Sequence, residues 1–175
     1  IPYPVDIDVK RLVGLERPLG RLQNNTLAFL KHKPAHHTLL YGPRGSGKST
    51  AVRSLLKSYS SDGLRLIELS AHDVLDLLKI IEMVRLRPHR YLVFIDDLSF
   101  EQGDNSYHPL KSLLEGSLTQ RPDNVLIYAT SNRRHLVKEH FSDRPDPLNE
   151  DVHAWDTHNE RLALSDRFGL TLTFP

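Results

Sequence analysis

The sequence has no cysteine, so disulfides and thiol chemistry are excluded, and the composition suits the cytosol. Charge of one sign is equally lacking. Lys and Arg number 23 against 22 Asp and Glu, a net charge of +1, so any nucleic-acid binding would have to rest on a local patch. No apolar run approaches the length of a membrane span, and Ile1-Pro2-Tyr3-Pro4 followed by Asp6 and Asp8 is unlike a signal peptide. The sequence has no initiator Met and so reads as a fragment or a trimmed chain. It has no internal repeat and no low-complexity tract. With 175 residues it fits one domain, or one domain plus part of a second, and is long enough to bury a core.

One stretch organises the rest. Gly42-Pro43-Arg44-Gly45-Ser46-Gly47-Lys48-Ser49 fits G-x-x-x-x-G-K-[ST] at every required position, between an apolar segment and an amphipathic one. Gly42, Gly45 and Gly47 let the backbone approach an anion, so that successive N–H groups converge on a phosphate. Lys48 would reach the β- and γ-phosphates and Ser49 would offer its hydroxyl to Mg²⁺. The helix that follows points its positive end at the same place. A Gly-rich surface turn is the plain alternative, but it accounts for neither the full match nor its strand–loop–helix setting.

Strands alternate with helices along the chain. Ile1 to Arg11 reads as an extended arm, and residues 13–175 read as the folded domain. Helices are expected over Arg17–Lys31, with Leu19, Leu22, Leu27 and Leu30 recurring, over Lys48–Tyr59, over Ala71–Leu86, and over Tyr107–Glu115. Strands are expected at Thr38–Tyr41, Leu64–Leu69, Tyr91–Ile95, Val125–Ala129 and Leu170–Phe174. The run Tyr91-Leu92-Val93-Phe94-Ile95 is the most apolar and suits a central parallel strand covered on both faces. Phe141 to Glu160, rich in Asp and poor in aliphatics, reads as an exposed excursion. This alternation predicts an α/β parallel sheet with helices on both faces and a ligand site at the carboxyl ends of the strands, where Gly42, Asp96 and Asn132 fall.

Hydrolysis needs an acid beyond the loop. Asp96, closing the apolar strand, is placed to hold Mg²⁺ through its waters, and Asp97 to orient or deprotonate the attacking water; capping of the next loop is their plainer role. Glu101 is a second candidate base. Softer signals point to ordinary roles. His36-His37, His135 with His140, and His153 with His158 lack metal-ligand spacing. Arg133-Arg134 suits a solvated loop as well as a phosphate or DNA contact, Trp155 sits within the acidic excursion, and Arg44 faces solvent or a neighbouring subunit. Arg167 on its own reads more readily as a structural salt-bridge residue than as a catalytic one.

The blocks Gly42 to Thr50, Phe94-Ile95-Asp96-Asp97-Leu98-Ser99-Phe100-Glu101, Lys111 to Gly116, Tyr128-Ala129-Thr130-Ser131-Asn132-Arg133-Arg134-His135-Leu136 and Leu164-Ser165-Asp166-Arg167-Phe168-Gly169 resemble AAA+ P-loop ATPases. More narrowly, they resemble an uncharacterised bacterial family of predicted AAA+ ATPases, similar in outline to helicase loaders and transposition ATP-binding proteins. The resemblance covers about Val13 to the end. It implies a three-layer P-loop NTPase fold with strand order 5-1-4-3-2. It also implies binding of ATP or ADP with Mg²⁺ by Gly42, Pro43, Arg44, Gly45, Ser46, Gly47, Lys48, Ser49 and Thr50, with Ser49 and Asp96 on the metal. Asp97 would be the catalytic acid, Asn132 the polar sensor, and Val13 and Gly14 part of the adenine pocket. Arg167 would be an arginine finger acting on a neighbouring subunit, hence a homo-oligomer with an unidentified protein partner. Two departures stand out: Asp97 replaces the commoner Glu, and the chain ends at Pro175, where the family continues into a helical lid carrying another Arg.

Three functions remain in view: a mechanochemical ATPase that remodels or loads its partner, a nucleotide-dependent switch with negligible hydrolysis, and a small-molecule kinase. The last is disfavoured, because the acids, Asn132 and Arg167 together suit water as the acceptor. A cytoplasmic location and no membrane are expected. Nucleic acid gains no support from the net charge.

Overall fold

Five strands form one parallel sheet in the computed structural model, which describes residues 14–100, 108–115, 122–132 and 164–175. The expected N-terminal arm lies outside the described residues. So do Val13, Glu101, Arg133, Arg134, His135, His140 and the stretch from Phe141 to Glu160, with its His153, Trp155 and His158.

The strands are β1 (Thr38–Tyr41), β2 (Leu64–Ser70), β3 (Arg90–Asp96), β4 (Val125–Ser131) and β5 (Leu170–Thr173). They lie in the order β2-β3-β4-β1-β5 with every pair parallel, which is the expected 5-1-4-3-2 read from the other edge. Side chains alternate across the sheet. Leu40, Leu92, Phe94, Leu126 and Tyr128 face one core, closed by α1 (Glu16–Leu30) and α2 (Lys48–Tyr59). Leu39, Val93, Ile95, Ile127 and Ala129 face the other, closed by α3 (Leu77–Val84) and α4 (His108–Glu115). Burial on both faces is why β3 and β4 read as continuous apolar runs, and the fold is a three-layer P-loop NTPase α/β fold. Among the described residues no helix is long and apolar enough to cross a membrane.

Two expectations need correction. The periodicity over Ala71–Leu86 predicts one helix, but Ala71–Asp76 is a 3-10 helix and α3 covers only Leu77–Val84. Asp73 Oδ2 accepts from both the Ser70 hydroxyl (2.7 Å) and the Ser70 amide (3.2 Å), a capping box at the start of the 3-10 turns. At the other end, the Asn124 side-chain amide donates to the carbonyls of Val84 (2.9 Å) and Arg87 (3.1 Å), so the helix ends before Pro88.

The second concerns α1, where the expected Leu22 is buried and Leu19 and Leu30 pack against the same core, but the buried face also holds Asn25, Thr26 and Phe29, which the leucine spacing does not show. Asn25 Nδ2 donates to Tyr128 Oη (3.0 Å), and Thr26 Oγ1 lies 2.8 Å from the same oxygen. The two polar side chains are buried because the Tyr128 hydroxyl needs partners inside the core.

Burial pushes the Tyr128 phenol up to about 12, outweighing the hydrogen bonds from Thr26 and Asn25. The unfolded phenol loses its proton near 10 while the folded one keeps it. Between those values the unfolded state binds fewer protons, so stability is full below pH 10 and declines as pH rises toward 12. Urea melts across this range should show a loss of about 2 to 3 kcal/mol that is absent in Tyr128→Phe. At neutral pH the same variant should cost about 1 kcal/mol.

Candidate functional site

The register of the sheet brings the expected residues to its carboxyl edge. Tyr41 pairs with Ser131 and Ile95 with Ala129, so Gly42, Asn132 and Asp96 leave their strands side by side. The Gly42 amide donates to the Ser131 carbonyl (3.2 Å), anchoring the start of the loop. A β-carbon on Gly42 would lie 1.8 Å from the Phe174 carbonyl oxygen, a backbone atom that cannot step aside. Gly42→Ala is therefore expected to cost about 2 to 3 kcal/mol, measured as a lowered Tm together with a displaced loop. Gly47, at φ 89°, turns the chain into α2 in a conformation costly for other residues.

Lys48 heads α2 and is buried; its Nζ donates to the carbonyls of Gly42 (2.8 Å) and Pro43 (2.7 Å) and to Asn132 Oδ1 (3.3 Å). Burial pushes its ammonium below the ordinary value, against the opposing pull of Asp97 and Asp96. Ser49 Oγ donates to Asp96 Oδ1 (2.6 Å), and Thr130 Oγ1 donates to the same oxygen (2.6 Å). Arg53 Nη2 donates to Asp96 Oδ2 (2.8 Å). Burial pushes the Asp96 carboxyl up, but the two hydroxyls and the Arg53 charge outweigh it and hold the group below its usual range.

Asp97 turns out of the strand at φ 53°, a left-handed conformation that aspartate tolerates better than most side chains. Its amide donates to Thr130 Oγ1 (2.9 Å), and its Oδ1 accepts from Asn132 Nδ2 (2.6 Å). Arg44, highly exposed, approaches Asp97 Oδ2 at 3.8 Å. Lys48, Ser49, Asp96, Asp97 and Asn132 thus share one cleft of about 280 Å³, with Gly45 and Gly47 in its wall.

The oxygens in this cleft fit a hard cation. Ser49 Oγ and Asp96 Oδ1 form a hydroxyl–carboxylate pair of the kind Mg²⁺ takes. Among the described residues no group of three or more His, Cys, Asp or Glu is placed to hold a metal, so such an ion would complete its shell from phosphate and water, as Mg²⁺ does. The Ser46 hydroxyl, inside the loop, is buried with no hydrogen-bond partner, which suits a ligand at this place.

Arg167 is not in this cleft. It ends a 3-10 turn, Ser165–Arg167, ahead of β5, whose Leu170 pairs with Thr38 at the start of β1. That is the edge of the sheet opposite to the phosphate loop. Arg167 forms an ion pair with Glu115 at the end of α4, while its buried Nε lacks a partner. Gly14, at φ 79°, donates its amide to Glu16 Oε1 (3.2 Å) just before α1. His37, one of the suspected packing histidines, is buried and accepts at Nδ1 from the Ile127 amide (3.0 Å).

Three residues of the site escaped the sequence reading. Thr130 joins Asp96 to the backbone of Asp97. Arg53 and Glu68 flank Asp96 from behind, with Arg53 Nη2 2.5 Å from Glu68 Oε1. The available signal was a glutamate in the middle of the partly buried strand β2, which calls for a cationic partner.

Solved structures share this fold. The Thermotoga maritima RuvB Holliday junction branch migration motor is 16% identical at a TM-score of 0.55, with 95% of this chain aligned to 47% of that one. Cdc6p from Pyrobaculum aerophilum is 15% identical at a TM-score of 0.57, with 98% aligned to 48%. The chain therefore spans about half the length of these proteins. Both have the AAA+ P-loop fold, so the resemblance read from the sequence holds at that level. No curated protein matches the sequence. Matched over residues 1–175, the chain belongs to the family described as Protein of unknown function (DUF815).

Proposed function

We propose that the chain binds ATP with Mg²⁺ in this cleft and hydrolyses it to ADP and phosphate, acting as a cytoplasmic homo-oligomer that remodels or loads a protein partner. The observation that carries this reading is the position of Asn132. One face of its amide accepts from Lys48 and the other donates to Asp97, so a phosphate-binding cation and a candidate base are held in one hydrogen-bonded chain. A purely structural lysine has no need of that arrangement.

In this mechanism the amides of Gly45 to Ser49 and the amino end of α2 hold the phosphates. Lys48 Nζ transfers from the carbonyls of Gly42 and Pro43 to the β- and γ-phosphate oxygens. Ser49 and Asp96 would hold Mg²⁺, which supplies charge neutralisation on those oxygens. Asp97 accepts a proton from water as the new O–P bond forms and the bond from the γ-phosphorus to the bridging oxygen breaks, with ADP leaving. Asn132 orients that water, and Val13 and Gly14 line the adenine. Arg167, on the far edge of its own sheet, completes the site of a neighbouring copy. The relative that is a branch migration motor supports coupling of this chemistry to motion.

The test is phosphate release as protein concentration rises. Specific activity that climbs with concentration supports an assembling ATPase. One observation favours a second reading, a nucleotide-dependent switch with negligible hydrolysis: Arg167 is already paired with Glu115 of its own chain. Tight ATP binding with flat, very low turnover would select the switch.

A further inference from the structure

We propose that Arg53 and Glu68 form a clamp that positions the Asp96 carboxylate for the divalent cation of a nucleoside triphosphate. The inference rests on the nucleotide reading above, and it assigns a role to two residues outside the phosphate loop and the strand-end acids.

The geometry begins on α2. Ser49 and Arg53 are four residues apart and so lie one above the other on the same helix face. Both reach the same carboxylate from different sides. Ser49 Oγ takes Asp96 Oδ1 at 2.6 Å, and Arg53 Nη2 takes Oδ2 at 2.8 Å. The guanidinium takes Oδ2, and Oδ1, which also accepts from Thr130 Oγ1, is the oxygen beside the Ser49 hydroxyl. Without Arg53 the carboxylate would be held only by the two hydroxyls on Oδ1, and Oδ2 would lose its partner.

Arg53 is itself fixed before it meets Asp96. Glu68 takes its Nε at 3.3 Å and its Nη2 at 2.5 Å, a two-pronged pairing that sets the plane of the guanidinium. The Phe94 ring lies 5.6 Å from its Cζ. Glu68 pairs in register with Phe94, and Asp96 follows two residues later on the same strand, so the clamp spans α2, β2 and β3. Arg53 and the two carboxylates are each about two-thirds or more covered, where such contacts are screened less than on an open surface. Glu68 takes two of the five guanidinium N–H groups, and a third goes to the carboxylate expected to face the metal.

Residues that orient a metal's ligands typically change metal affinity by about 10- to 100-fold when removed. The experiment is equilibrium binding of a fluorescent ATP analogue to the whole chain, in EDTA and across a Mg²⁺ titration, with a thermal melt of each variant. In wild type, Mg²⁺ should tighten binding. In Arg53→Ala, affinity in EDTA should stay within about twofold of wild type while the Mg²⁺ concentration for half-maximal tightening rises about tenfold. Arg53→Lys keeps the charge but loses the fork and should recover only part of this. Glu68→Gln, which frees the guanidinium without removing it, should give a smaller rise in the same direction; with Arg53→Lys it decides the matter should the alanine variant fail to fold. A folded variant with lowered Tm and an unchanged Mg²⁺ midpoint would overturn the clamp and leave a structural salt bridge. Wild-type chain that binds no nucleotide under any condition would overturn the nucleotide reading, and this inference with it.

Discussion

Arg167→Ala is expected to hydrolyse ATP about 10³-fold more slowly than wild type at concentrations where the chain assembles, with ATP affinity nearly unchanged. The expectation follows from position. Arg167 precedes β5 at the amino ends of the strands, remote from Gly42, and is not among the residues lining the cleft of its own chain. What remains for it is the Glu115 pair or a neighbour's γ-phosphate. Charge develops on the transferring phosphoryl group, and a fixed cation there is a large term in the barrier. A structural pair predicts a different result: Arg167→Ala would lower Tm and leave turnover per folded molecule intact. Mixing the variant with an Asp97→Asn chain sharpens the test, since each would supply what the other lacks. Recovery of turnover in the mixture places Arg167 in a neighbour's site.

Asp97→Asn should lower turnover by about 10²- to 10⁴-fold while ATP binding stays within a few-fold of wild type, measured by single-turnover hydrolysis beside a binding titration. The substitution is clean for a structural reason. Position 97 sits at φ 53°, where asparagine is as comfortable as aspartate. The Asn132 amide can still donate to the new side-chain oxygen, as it does to Asp97 Oδ1 at 2.6 Å. What is lost is the negative charge that takes the proton. Unchanged turnover would remove Asp97 from the reaction and move the base elsewhere.

Much of this was legible before any coordinates, because it is written in local patterns. The phosphate loop is contiguous, the apolar run ending in Asp96 and Asp97 is a strand buried on both faces, and the Asn132 strand follows the same rule. The parallel sheet follows from the alternation of strands and helices, and its order from the AAA+ resemblance. The parts that escaped are those in which chemistry depends on elements distant in sequence. Arg53 looks like any exposed arginine on an amphipathic helix until Glu68 and Asp96 arrive from two separate strands. Thr130 looks like a strand residue until its hydroxyl is seen between the two acids. Asn25 and Thr26 occupy the core face of α1 only because Tyr128, more than a hundred residues later, brings a hydroxyl into that core. The Ala71–Leu86 segment shows the reverse: its apolar period is helical throughout, yet its first six residues, Ala71–Asp76, are tighter 3-10 turns, a distinction the period does not carry.

The most direct test of the account is a calorimetric titration of ATP with Mg²⁺ into the chain and into Lys48→Ala. The account predicts one ATP per wild-type chain and a loss of affinity of at least about 100-fold in the variant. That corresponds to about 2.7 kcal/mol, the scale of charge-assisted contacts to phosphate. It further predicts that the variant remains folded. A folded wild-type chain that takes up no ATP, or one that binds it equally well without Lys48, would contradict the assignment of this cleft as a nucleotide site.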